Sequence, residues 1–258
     1  CVLSWWQAAR GEAAPPEWAR YRREVAAGLH AADMVAAPTR AMLAELGRHY
    51  RLPAGRSRVL VNGREPSLFP PGEKEPFILT AGRLWDIAKN VAALETVAAG
   101  LEWPVYVAGE DQHPEGGKIR HLHSHPLGRL EPDVLRQWFS RASIYALPAR
   151  YEPFGLSALE AALAGCALVL GDLPSLREVW GDAALFVPPD DTDALAAALR
   201  ALIRDPGARE EFAARARARA LRYTPERMAS GYIEAYRLLL EGGGVQVEVE
   251  EEEVSCVS

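Results

Sequence analysis

"IYALPARYEPFGLSALEAALAGCALVL", residues 144–170, begins and ends on short apolar runs, IYAL (144–147) and ALVL (167–170). Between them lie a Pro/Gly loop and an alanine- and leucine-rich segment long enough for a helix over 155–164. A strand, a crossover helix and a second strand specify a parallel pair, because parallel neighbours cannot be joined by a tight hairpin. In that helix Leu156, Leu159 and Leu163 share a narrow sector at about 100° per residue and must face the sheet. Glu160 lies at the border of the sector, and Glu152 sits in the loop before it. A carboxylate beside a buried face needs hydrogen-bond partners.

The same alternation runs outward from this stretch. Further strand candidates are MVAA (34–37), RVLV (58–61), FILT (77–80), VYVA (105–108), HPL (125–127) and ALFV (184–187). Helical patterns at 39–49, 89–99, 132–142 and 174–180 separate them, which predicts an α/β fold with a doubly wound parallel sheet. From residue 192 the pattern is helical, over 192–203, 207–221 and 225–240, with Thr192 and Thr224 as expected N-caps. The proline-rich segment 62–76 reads as an inter-domain linker. The glycine break and acidic run at 242–258 read as a disordered tail. Residues 1–65, with two strands, are too few for an α/β domain of their own. They are read as the C-terminal remnant of a larger domain, followed by a second domain over 66–241. The chain starts at Cys1, and a longer natural protein is expected.

Composition narrows the function. The chain is 49% hydrophobic and 25% charged with a net charge of −6, so the basic footprint of a nucleic-acid binder is absent. No apolar run approaches the ~20 residues of a membrane span, although peripheral membrane contact stays open. Three scattered cysteines, Cys1, Cys166 and Cys256, make neither a zinc spacing nor a disulfide framework. They favour a reducing, cytoplasmic setting. Cys166, in apolar surroundings, is expected to be a small core residue.

Ligands of a parallel sheet bind beyond the carboxyl ends of its strands. After FILT come Gly82, Arg83 and Lys89; after VYVA, Gly109; after HPL, Gly128; after IYALPA, the RYEPFG loop. Two cations and a glycine-rich helix start at one sheet edge suit a diphosphate. A ribose diol would satisfy Glu160, and Glu152 would project into the crevice.

These residues resemble the retaining glycosyltransferases of the GT-B fold, glycosyltransferase family 4 (group 1). The resemblance runs over about 25–240 and rests on a joint motif set: EPFGLSALEA (152–161), GRLWDIAKN (82–90), VNGRE (61–65) and Glu178 before a V-P strand. In VNGRE the family's usual acidic residue is displaced to Glu65. The resemblance implies that the chain carries a Rossmann-like donor domain and lacks most of the N-terminal, acceptor-binding domain. It implies sugar transfer from a nucleotide-sugar donor to an unknown glycan, lipid or small-molecule acceptor, with retention and without a metal. Glu152, Arg83 and Lys89 are then the catalytic candidates. Arg83, Lys89, Leu130, Phe154, Gly155, Leu156 and Glu160 are the donor-binding candidates, with Arg129 and Leu130 near the base. The helix over 225–240 would cross back onto the first domain.

A non-catalytic nucleotide-sugar-binding or scaffolding remnant is the alternative. An NAD-type dehydrogenase fails for want of a G-x-G-x-x-G followed by an acid, and a sugar-nucleotide epimerase matches EPFGLSALEA less well. His121, His123 and His125 repeat at period two, but three ligands on one strand close poorly around zinc. Asp111 and His113 read as loop residues, and Trp5, Trp6 and Trp18 as packing on a domain surface. The arginines of EFAARARARALR circle their helix beside acidic neighbours.

Overall fold

All six residues of the strand Ala142–Leu147 are buried, and the sheet is built outward from it. The computed structural model describes residues 1–113, 116 and 120–241. The expected tail (242–258) and part of the 110–119 loop lie outside the described residues.

Residues 2–59 form α1 (Val2–Arg10), α2 (Ala19–Ala31), β1 (Val35–Ala37), α3 (Arg40–Tyr50) and β2 (Ser57–Val59). Then come β3 (Glu75–Ala81), α4 (Val91–Ala98), β4 (Val105–Ala108) and β5 (His125–Gly128). The second half of the sheet carries α5 (Pro132–Arg141), β6 (Ala142–Leu147), α6 (Leu156–Leu163), β7 (Ala167–Gly171), α7 (Pro174–Trp180) and β8 (Leu185–Val187). Three helices follow: α8 (Thr192–Arg204), α9 (Pro206–Ala220) and α10 (Pro225–Leu240). One sequence expectation is corrected at the start of α8. Asp191, not Thr192, is the N-cap, its side chain accepting the Ala194 N–H, because a carboxylate one residue earlier already serves that donor. Thr224 caps α10 as expected, accepting the Arg227 N–H.

The large sheet has the order β5-β4-β3-β6-β7-β8, and every pairing is parallel. Alternate strand residues face opposite helical layers. Leu79, Tyr145 and Leu168 pack with Phe139, Leu159, Leu163 and Ala216 on one face. Ile78, Val107 and Ile144 pack with Leu94, Leu195 and Leu199 on the other. Full burial on both faces explains why the inner strands read as continuous apolar runs. The chain winds from β3 toward β5, then returns to β6 and winds the other way. The order therefore reverses between β3 and β6, where a crevice opens beyond their carboxyl ends.

A second, two-stranded parallel sheet pairs β1 with β2. The connection from β2 to β3 is held down along its length. Arg64 N–H donates to the Tyr223 carbonyl, Ser140 Oγ donates to the Pro70 carbonyl, and Lys74 Nζ donates to the carbonyls of Ser140 and Ala164 near the ends of α5 and α6. The last helix packs back on the first segment, with Arg58 and Glu234 paired at 2.6 Å. The arginines of α9 also have structural targets. Arg217 donates to the Leu163 carbonyl, and Arg219 to those of Glu178 and Val179.

Candidate functional site

The loops that leave β3 and β6 at the reversal point carry the expected residues. After β3, Asp86 caps a 3-10 turn, Ile87–Lys89, by accepting the Ala88 N–H. Asn90 follows in the left-handed region at φ 57°. Its buried amide donates to the carbonyls of Pro148 and Pro189, tying together the segments that follow β3, β6 and β8. The Arg150 N–H adds a bond to the Ala88 carbonyl. Lys89 is thereby delivered to the RYEPFG loop, where its Nζ lies 2.5 Å from Glu152 Oε2. Both side chains are largely buried, at 19% and 12% exposure, so this charge-assisted bond is stronger than a surface pair.

Glu152 Oε1 turns the other way, accepting the N–H groups of Gly155 at 3.0 Å and Phe154 at 3.4 Å. Gly155 adopts φ 88° as the N-cap of α6, a conformation that a Cβ disfavours. The first N–H groups of α6, from Leu156 onward, have no intrahelical acceptor and make a partial positive charge at the crevice. Leu156 is half-buried, while Leu159 and Leu163 are fully buried. Glu160 lies at their border, 17% exposed, with Arg64 Nε at 2.6 Å from its Oε1.

Arg83 is 64% exposed and contacts Asp86 at 3.2 Å, its guanidinium 5.6 Å from the Trp85 ring centroid. Leu130, in the segment after β5, is half-buried against the core. The structure thus brings Lys89 to Glu152 and places Arg83 on the same β3 loop. Glu152 and Glu160 have separate partners.

Several contacts around these residues were not legible in the sequence. Tyr145 on β6 donates to the Ala81 carbonyl at the end of β3 and bonds Ser157 of α6, and burial raises its pKa. Asp86 also accepts from Trp5 Nε1 at 2.8 Å, across 81 residues of chain. Glu178 accepts the N–H groups of Arg40 and Ala41 at 2.8 and 3.0 Å, capping α3 from α7. Thr39 Oγ1 donates to the Pro153 carbonyl inside the EPFG loop. A cavity of about 370 Å³ between α1, α3 and this loop is lined by Gln7, Met42, Arg48, Tyr151, Glu152 and Ser175. The polar types of Asp86 and Glu178 were visible, but nothing in their spacing signalled their partners.

Other candidates have structural roles. The Trp5, Trp6 and Trp18 rings pack in sequence in edge-on and tilted contacts, ending on Tyr21. The His121 side chain is 6% exposed and bonded to Ser124, while His123 and His125 are exposed, so the three imidazoles do not converge. Among the described residues no cluster of three His, Cys, Asp or Glu is placed to hold a metal ion. None of their helices is long and apolar enough to cross a membrane.

The chain is similar to several known proteins. The phosphatidyl-myo-inositol mannosyltransferase of Mycolicibacterium smegmatis is 34% identical over 183 residues, 67% of this chain and 47% of that protein. The chain spans under half the length of that relative. The sucrose-phosphate synthase of Thermosynechococcus elongatus shares the fold, a glycosyltransferase GT-B architecture, with a TM-score of 0.76 at 23% identity, over 89% of this chain and 65% of that one. Anabaena Alr3699/HepE in complex with UDP and glucose gives a TM-score of 0.72 at 17% identity, over 84% and 67%. Residues 75–205, from β3 to the end of α8 and including both glutamates and both cations, match the family model described as "Glycosyl transferases group 1". The chain belongs to the glycosyl transferases group 1 family.

Proposed function

We propose that the chain is the donor-binding part of a retaining, family 4 glycosyltransferase, with residues 1–65 contributing the end of an acceptor domain and 66–241 forming the donor domain. The carrying observation is the convergence at the β3/β6 reversal of Lys89, Glu152 and the open N-terminus of α6. The solved likeness with UDP and glucose supports a nucleoside diphosphate sugar as the ligand class.

Arg83, Lys89 and the α6 N-terminus take the diphosphate charge, so the proposal calls for no metal. Glu152 accepts from donor-sugar hydroxyls, and its present bonds to Phe154 and Gly155 orient that loop. Glu160 accepts from the ribose hydroxyls, and Leu130 lies against the base. In the transfer, the bond from the anomeric carbon to the diphosphate oxygen breaks and negative charge grows on that oxygen. Arg83 and Lys89 stabilise this charge. The acceptor hydroxyl bonds to the anomeric carbon from the same face and passes its proton to the departing phosphate. The acceptor is a glycan, lipid or small molecule, and the setting is cytoplasmic.

Calorimetry with UDP, GDP, ADP and their glucose or mannose conjugates tests the reading. One nucleotide series should bind, and Glu152→Ala should lose the affinity added by the sugar while keeping that for the diphosphate. No binding by any nucleotide, or a sugar increment untouched in Glu152→Ala, would refute it.

A further inference from the structure

Two carboxylates line a site proposed to receive an anion, and each is matched by a cation from elsewhere in the chain. Glu152 has Lys89; Glu160 has Arg64, 96 residues away. The second pair follows from no sequence pattern. We propose that Arg64 is a positioning residue that sets ribose recognition by aiming the Glu160 carboxylate and offsetting its charge beside the diphosphate. This rests on the donor-site reading above and deepens it.

Three observations carry the assignment. The first is the bond itself, Nε to Oε1 at 2.6 Å, with Glu160 17% and Arg64 37% exposed. Solvent screens such a pair in part through the more exposed arginine, while the charge-assisted bond fixes the direction of the carboxylate. Second, the Arg64 backbone is pinned. Its N–H donates to the Tyr223 carbonyl at 3.0 Å, and Gly63 before it lies against the start of α10. A Cβ at position 63 would fall 2.2 Å from the Thr224 oxygen, so only glycine allows this approach. The guanidinium therefore projects from a fixed point toward α6. Third, Arg64 occupies one oxygen of the carboxylate. Glu160 Oε2 takes no hydrogen bond among the described residues, and a carboxylate has about four lone-pair sites. Two ribose hydroxyls can be accepted while the arginine stays in place.

Without Arg64, a flexible glutamate would need ordering at each binding event, and its charge would oppose the incoming phosphates. Losing the charge offset should weaken every nucleotide, deoxy forms included, whereas losing the aim should fall on the part of affinity that depends on the hydroxyls. UDP, GDP and ADP, each with its 2′-deoxy form, are titrated into the chain and into Arg64→Met, Arg64→Lys and Glu160→Gln. The wild type should prefer the ribonucleotide by about 10-fold, the range of one hydrogen bond to a charged group. Glu160→Gln and Arg64→Met should both reduce that preference to about twofold or less while still binding the deoxy form. Arg64→Lys should recover part of it, since an ammonium restores the charge without the planar fork. Full preference retained in Arg64→Met, or none recovered in Arg64→Lys, overturns the role of Arg64 alone. Full preference retained in Glu160→Gln overturns the ribose assignment beneath it. No nucleotide bound by the wild type overturns the donor reading altogether.

Discussion

Replacing Asp86 separates what holds the crevice together from what charges it. Its side chain is buried and makes bonds in three directions: to Trp5 Nε1 at 2.8 Å, to the Ala88 N–H at 3.0 Å and to Arg83 at 3.2 Å. Asp86→Ala leaves the indole and backbone donors without their acceptor. At about 1–3 kcal/mol for each of the two orphaned groups, the expected loss is about 2–6 kcal/mol of unfolding free energy. The Arg83 contact adds little to that, since the guanidinium is 64% exposed. Asp86→Asn keeps an oxygen for Trp5 and Ala88 but turns an NH2 group toward Arg83. It should cost less than about 1 kcal/mol of stability while weakening nucleoside diphosphate binding several-fold, because Arg83 loses its orienting carboxylate. Urea unfolding followed by tryptophan fluorescence gives the first quantity, and calorimetry the second. An Asp86→Ala chain within about 0.5 kcal/mol of wild type would refute the structural argument. An Asp86→Asn chain with unchanged affinity would refute the electrostatic one.

Two further outcomes are expected. Burial raises the Glu95 pKa, but hydrogen bonds from Ser124 Oγ and the N–H groups of His123, Leu122 and Ser124 outweigh it and hold the carboxyl below its ordinary value. A depressed folded-state pKa adds stability above the unfolded value and loses it as pH falls through the folded one. Glu95→Gln should thus be about 1 kcal/mol less stable than wild type at neutral pH, with the gap narrowing as carboxylates protonate; a gap constant down to about pH 4 in urea melts would contradict this. Cys166 is fully buried, and desolvation pushes its thiol up to about 11 despite the nearby Lys74 ammonium. Peptide mapping after iodoacetamide at about pH 8 should find Cys166 unmodified in the native chain and alkylated in denaturant, since only the thiolate reacts; native-state labelling would count against that burial.

How much of this was legible beforehand depends on the distance over which each feature is decided. The inner strand runs were visible because strands buried on both faces must be apolar throughout, and the crossover helices because their apolar residues recur every turn. The start of α8 was misplaced by one residue because Asp191 and Thr192 are both good caps, and only the backbone turn decides between them. The motif residues Arg83, Lys89, Glu152 and Glu160 were legible because each follows a strand and so shares the sheet's carboxyl edge. Their partners were not. Glu160 was expected to accept from hydroxyls, and nothing in the sequence signalled that Arg64 would bond its other oxygen.

The sequence by itself determined the parallel α/β architecture, the edge of the sheet that bears the candidate site and the residue types present there, since periodicity and strand-end position are local properties. Tertiary structure alone decided which charge answers which. The Arg64–Glu160, Trp5–Asp86 and Glu178–α3 contacts join residues 96, 81 and about 137 positions apart. Such pairings follow from strand order and from how α10 and the first 65 residues pack against the sheet. Hydrogen bonds act over about 3 Å, so a spacing along the chain carries no information about them until the fold has brought the groups together.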